Sequence, residues 1–165
     1  MKKIVSVILL CLIIGVGAYF GTFYLDKLRK GGDVNLTVTF DDTETYTIPS
    51  IKKMNKEEAL AEWPYIMELN NTGSGKGLYQ IIITDIEKST IKRDSLDYSL
   101  YLEDDEIISG NLSKIKDNIL YTGEINGNTK QKYKLYIWVV SDVDEKDTYE
   151  YKLEFNTIKS GGPGF

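Results

Sequence analysis

The densest group of side chains that could bind a metal is a set of carboxylates late in the chain. Asp142, Asp144 and Asp147 follow an Asp-x-Asp-x-x-Asp spacing, and Glu150 comes three residues later. Calcium takes about six to eight hard oxygen ligands, and this spacing can place three of them on one turn. The segment lacks the glycine and terminal glutamate of a twelve-residue calcium loop. It therefore predicts either a calcium site at Asp142, Asp144 and Asp147 or a solvated hairpin tip that holds no cofactor.

The chain contains no histidine, which restricts the chemistry open to it. Histidine is the usual general base at neutral pH, the partner of catalytic serine and cysteine, and a common zinc and copper ligand. Lysine or paired carboxylates remain as alternative bases, so a hydrolase is the weakest of the function classes. We predict that the chain is not an enzyme and has no catalytic residues.

Tyrosine is frequent, with 12 residues in 165. The run from Tyr133 to Trp138 alternates between two faces, so some of its rings must point outward. An outward tyrosine offers an amphipathic plate to a sugar, whereas an inward one reflects strand propensity and core packing. These two interpretations apply to Tyr98, Tyr101, Tyr121, Tyr133, Tyr136, Tyr149 and Tyr151.

The net charge is −5, and the acidic residues are spread along the chain. A protein that binds nucleic acid concentrates basic side chains on one face to neutralise phosphates. We therefore predict no nucleic-acid partner.

Residues 4–25 contain no charged side chain, and lysines or an arginine flank them on both sides. A helix of this length is about 33 Å long, enough to cross a hydrocarbon core of about 30 Å. The segment predicts a single N-terminal transmembrane helix, with residues 1–30 as a membrane anchor or uncleaved signal. Cleavage near Ala18, giving a secreted protein, is the alternative, because small residues precede that position.

The flanking charges do not decide the orientation of this segment, because similar numbers of basic residues lie on both sides. The only cysteine, Cys11, lies inside the apolar run. A domain without thiols suits an oxidising exterior, so we predict that the domain is extracytoplasmic.

Residues 31–33 form a glycine-containing linker, and after it the apolar pattern changes to a period of two. Val34, Leu36, Val38 and Phe40 alternate with polar residues, as in a strand with one buried face. The nearly continuous apolar run from Leu78 to Asp85 predicts a central strand covered on both sides. Eight or nine such runs predict an all-β fold over residues 34–158, an antiparallel immunoglobulin-like or jelly-roll-like β-sandwich, followed by a flexible tail at 159–165.

One short helix interrupts the strands. Asn55 and Glu58 have the spacing of a capping box, and Pro64 ends the helical segment. Because two helical turns are marginal alone, we predict that Leu60 and Trp63 pack against the sandwich.

The order of several motifs resembles a known group of proteins. These motifs are Met54–Leu60, Trp63-Pro64-Tyr65, Asn70-Asn71-Thr72-Gly73, Leu78-Tyr79-Gln80-Ile81, Leu120–Gly123 and Lys132–Trp138. Together they are similar to exported, largely uncharacterised β-sandwich proteins of Gram-positive bacteria, and more distantly to surface and matrix-fibre proteins of the camelysin and TasA type. The resemblance covers about residues 34–158 and implies an exported sandwich; no catalytic motif here matches the proteolytic activity of some camelysin-like proteins.

Together these features predict a single-pass protein of the cell membrane with an extracytoplasmic domain. Its predicted role is structural or in protein interaction at the cell surface, with self-association through exposed edge strands as the physical means. The alternative is a module that binds cell-wall glycan or a partner membrane protein.

Overall fold

The computed structural model describes residues 32–40, 45–48 and 50–158. Within these residues no helix is both long and apolar enough to cross a membrane. The predicted anchor at residues 1–30 and the predicted tail at 159–165 lie outside the described part of the chain.

The described residues form two antiparallel sheets and one short α-helix, which confirms the predicted all-β sandwich. The strands are β1 Leu36–Phe40, β2 Thr45–Thr47, β3 Tyr65–Asn71, β4 Gly77–Asp85, β5 Leu96–Leu102, β6 Asp105–Asn111, β7 Ile119–Ile125, β8 Thr129–Val139 and β9 Glu150–Ile158; the helix is α1, Lys56–Leu60. The first sheet has five strands in the order β1-β3-β8-β5-β6, and the second has four in the order β2-β9-β4-β7.

The core lies between the two sheets and follows the period of two in the sequence. Along β3, for example, Tyr65, Met67 and Leu69 are buried and the residues between them are half-buried. The prediction that the strand from Leu78 to Asp85 is covered on both sides was wrong. Leu78, Gln80 and Ile82 are only half-buried because no further layer packs on the outer face of the four-stranded sheet in the described chain.

Helix α1 begins at the predicted capping box, in which the Asn55 side chain accepts a hydrogen bond from the Glu58 amide and the Glu58 carboxylate accepts one from the Asn55 amide. Ala59 is its buried residue, packed towards β8. The prediction that Trp63 packs on the sandwich was wrong, since Trp63 is 86% exposed. The helix ends at Leu60, so Trp63 does not continue the face that Ala59 buries.

Strands β5 and β6 are the only pair in the described chain that are both consecutive and hydrogen-bonded to each other, and Glu103–Glu106 lies at the turn of their hairpin. The segment that carries Asp142, Asp144 and Asp147 is not a hairpin tip. It connects β8 of one sheet to β9 of the other, because β8 pairs with β3 and β5 whereas β9 pairs with β2 and β4.

Candidate functional site

Strand β1 forms one edge of the five-stranded sheet and is the least protected edge among the described residues. Its sequence, Leu36-Thr37-Val38-Thr39-Phe40, contains no charge, proline or glycine. The three apolar side chains are half-buried and point towards the core, while Thr37 and Thr39 are exposed on the outer face. An uncharged edge without proline or a bulge is a template for pairing with another strand.

The hydrogen bonds of β1 show which of its backbone groups face outward from the sheet. Asn35 lies opposite Thr72, and the Thr72 amide donates to the Asn35 carbonyl. In an antiparallel ladder, residues that exchange hydrogen bonds with the neighbouring strand alternate with residues that do not. The amide and carbonyl groups of Leu36, Val38 and Phe40 therefore point away from β3, and no described strand lies on that side.

The other edges are shorter, charged or irregular. Strand β6, at the opposite edge of the same sheet, begins with Asp105 and Glu106 and contains a bulge opposite the step from Leu100 to Tyr101. Strand β7 pairs with β4 through another register shift and carries Glu124, which forms an ion pair with Lys76. Strand β2 has only three residues. Charges, bulges and short length are the usual means by which proteins prevent edge pairing.

Asn71 holds the β1 end of the sheet in place. Its side chain is completely buried. The amide nitrogen donates to the carbonyls of Gly75, at 2.7 Å, and Asn126, at 3.2 Å. The side-chain oxygen accepts from the amides of Asn35, at 3.3 Å, and Gly73, at 3.1 Å. One side chain thus joins the residue before β1, the β3–β4 loop and the β7–β8 turn.

A second surface feature lies at the opposite end of the sandwich from Gly32. Trp63 is exposed beside the start of β3, next to a shallow depression that Tyr136 and Trp138 also line. Trp138 itself is only 4% exposed. It also lines an adjoining groove of about 260 Å³ between Lys56, at the start of α1, and Ser109 on β6.

A small polar network lies on the outer face of the five-stranded sheet, the face that also carries Tyr136. The Lys56 ammonium donates to Glu106 at 2.6 Å, and the Tyr101 hydroxyl donates to the same carboxylate at 3.0 Å. The hydrogen bond from Lys56, followed by that from Ser109, lowers the pKa of Glu106 to about 2. Near it, the Ser99 hydroxyl on β5 is buried without a hydrogen-bond partner among the described residues. The network is a set of fixed charges and polar groups rather than an acid–base pair.

The predicted calcium ligands lie on the exposed β8–β9 connection but do not converge. Asp142 lies 3.6 Å from the Lys53 ammonium. The Asp147 carboxylate accepts from the Asp144 amide at 2.9 Å and so closes a local turn. Within the described ranges no three acidic, histidine or cysteine side chains are grouped so that they could hold a metal ion.

The tyrosines divide between the core and the surface. Tyr98, Tyr133, Tyr149 and Tyr151 are buried, whereas Tyr101, Tyr121 and Tyr136 are half-buried. The Tyr133 hydroxyl is hydrogen-bonded to that of Tyr79, and both hydroxyls lie within hydrogen-bond distance of the side-chain oxygen of Gln131. Burial raises the pKa of Tyr79 to about 12, against the lowering effect of its bond to Tyr133. The buried rings cannot form a sugar-binding plate, which leaves Tyr101 and Tyr136, packed edge to face, as the outward pair.

Two features of these surfaces, the buried side chain of Asn71 and the edge position of β1, are not evident from the sequence. The motif Asn-Asn-Thr-Gly has the composition of a loop, yet Asn71 ends β3. The edge position of β1 depends on pairings distant in the chain, for which the sequence carries no local signal. Comparison with protein-family models, curated proteins and solved structures gives no significant match.

Proposed function

We propose that this chain is a membrane-anchored, extracytoplasmic β-sandwich protein with a structural or protein-interaction role at the cell surface, and that it associates with copies of itself. Residues 4–25 anchor it, and the open edge of the five-stranded sheet provides the contact. The observation that carries this proposal is strand β1, which has no charged side chain and whose outward backbone groups face no other strand among the described residues.

The surface chemistry supports an interaction role rather than a catalytic one. The chain has no histidine, and the outer-face carboxylate Glu106 is held ionised by Lys56. Strand addition, in contrast, requires only a free edge and alternating side chains, both of which β1 provides. A membrane anchor would promote strand addition further, because it concentrates the copies in two dimensions and so allows even a weak contact to form.

Two measurements on the full chain test the proposal. Protease added to intact cells should remove the domain and leave a membrane-bound fragment; a domain that is protected, or that is found cleaved in the medium, would refute the anchored topology. Two differently tagged copies expressed in the same cells should co-purify in mild detergent. Copies mixed only after solubilisation serve as the control, and absence of co-purification would refute self-association.

A second candidate function is the recognition of a ligand, such as cell-wall glycan, by the surface around Trp63. An indole that is 86% exposed beside Tyr136 is the observation that favours it. Stacking of a sugar on an indole shifts its fluorescence, and Trp138→Phe leaves Trp63 as the only tryptophan. Soluble glycan fragments should shift the emission of that variant. No shift, together with unchanged retention of Trp63→Ala on cell-wall material, would rule this function out.

A further inference from the structure

We propose that the self-association is a closed dimer in which the β1 strands of two copies pair antiparallel about Val38 and join the two five-stranded sheets into one sheet of ten strands. This inference rests on the proposed self-association and adds the contact, its register and its stoichiometry. It predicts dimers that do not grow into fibres.

The register follows from the sequence of β1, which is self-complementary about its centre. In a two-fold antiparallel pair centred on Val38, Leu36 of one copy lies opposite Phe40 of the other, and Val38 lies opposite Val38. These are the residues whose amide and carbonyl groups point away from β3. They would exchange about six hydrogen bonds across the new ladder.

The two faces of the joined strands also match in this register. Leu36, Val38 and Phe40 are half-buried on the core side, so each copy can cover part of the apolar surface that the other leaves exposed. Thr37 lies opposite Thr39 of the other copy on the outer face, and neither carries charge. A shift of one residue would place two of the three apolar side chains of one copy opposite a threonine of the other and the third opposite a residue beyond β1.

The stoichiometry follows from the other edge of the same sheet. A fibre would require β1 of one copy to pair with a different edge of the next, since only such head-to-tail contacts repeat without closing. Strand β6 opposes this pairing with Asp105, Glu106 and the bulge at Ile107. Pairing of β1 with itself uses the open edge of both copies and leaves none for a third.

A contact of five residues per strand is small, and the surface area it buries is below the roughly 1,000 Å² typical of a stable interface. The dimer should therefore be weak in dilute solution and form mainly where copies are concentrated in a membrane. For this reason the test uses the full chain in membrane vesicles.

Disulfide cross-linking reports the register. In the proposed pairing Thr37 and Thr39 of the two copies form a non-hydrogen-bonded pair with Cα atoms about 4.5 Å apart, which suits a disulfide. Two Thr37 residues would be roughly 8 Å apart, beyond disulfide reach. All variants carry Cys11→Ser, which removes the only native cysteine.

Vesicles containing differently tagged Thr37→Cys and Thr39→Cys copies should give a mixed dimer on oxidation, on the order of tenfold more than either variant alone. Ser109→Cys on β6 is the matched control at the other edge and should give little dimer. Equal cross-linking of all these variants, or a ladder of species larger than dimers, would overturn the proposal.

A charge exchange tests the same register without cysteines. Thr37→Lys with Thr39→Lys places like charges opposite each other in both pairs and should lower chemical cross-linking on the order of tenfold. Thr37→Glu with Thr39→Lys places opposite charges there and should restore it. Thr122→Lys, exposed on β7, is the control that should change nothing. If wild-type copies co-purify but neither double variant at Thr37 and Thr39 alters association, the proposed β1 dimer is wrong and self-association stands. If wild-type copies do not associate, both the β1 dimer and the proposed self-association are wrong.

Discussion

Replacement of Asn71 by alanine should destabilise the domain through the loss of buried hydrogen bonds. The substitution removes four hydrogen bonds at once, and two of their partners, the Gly75 carbonyl and the Gly73 amide, are bonded in buried surroundings. A buried polar group left without a partner costs about 1–3 kcal/mol. Water can reach the other two groups, so we expect a loss of about 2–4 kcal/mol, a large part of the 5–15 kcal/mol typical of a domain.

Asn70 provides a matched control in the adjacent position. Its side chain lies half-buried on the outer face and makes no hydrogen bond to a described side chain or loop. Asn70→Ala should change the free energy of unfolding by less than about 0.5 kcal/mol.

Urea unfolding of the full chain in detergent measures both variants. In a Trp63→Phe background the buried Trp138 is the only tryptophan, so its emission reports the folded sandwich. An unfolding midpoint for Asn71→Ala equal to that of Asn70→Ala would show that the β3–β4 loop, which contains Gly73 and Gly75, keeps its conformation without the Asn71 side chain. That result would refute the role of Asn71 in fixing the β1 edge.

Two further changes probe packing and charge. Gly123→Ala should cost about 1–3 kcal/mol in urea unfolding, because the added methyl group would overlap the buried Tyr79 hydroxyl; Gly110→Ala, where the nearest atom is 3.8 Å away, is the control. The Glu106 pKa, lowered to about 2, predicts a stabilisation that is fully present above pH 4.5 and lost as the pH falls towards 2. Because the side chains of Lys56 and Glu106 are 45% and 29% exposed, we expect only about 0.5 kcal/mol, and Glu106→Gln should abolish this part of the acid dependence.

Features that depend on neighbouring residues were predictable from the sequence. The capping box of α1 needs only the spacing of Asn55 and Glu58, and the hairpin at Glu103–Glu106 needs only a turn between two apolar runs. The period of two likewise predicted which residues of β1 face the core.

Features that depend on distant pairings were not predictable in this way. The Asp142–Asp147 segment has the composition of a hairpin turn, but the two strands that flank it, β8 and β9, belong to different sheets. Trp63 was expected to pack against the sandwich because a helix of two turns is marginal alone, whereas the early end of α1 leaves it exposed. The buried position of Asn71 depends on Asn35 and Asn126, which are distant in the sequence and meet it only in the folded chain.

The antiparallel direction of β1 has a consequence for how a dimer would sit on a membrane. The described chain enters β1 from Gly32, and in a two-fold pair about Val38 the two entry points lie at opposite ends of the joined strands, about 40 Å apart. If the anchors of both copies lie in one membrane, both entry points would lie at the same distance from the bilayer surface. The joined sheet would then lie flat along the bilayer, with the two Trp63 ends directed sideways, whereas a single copy is free to stand upright.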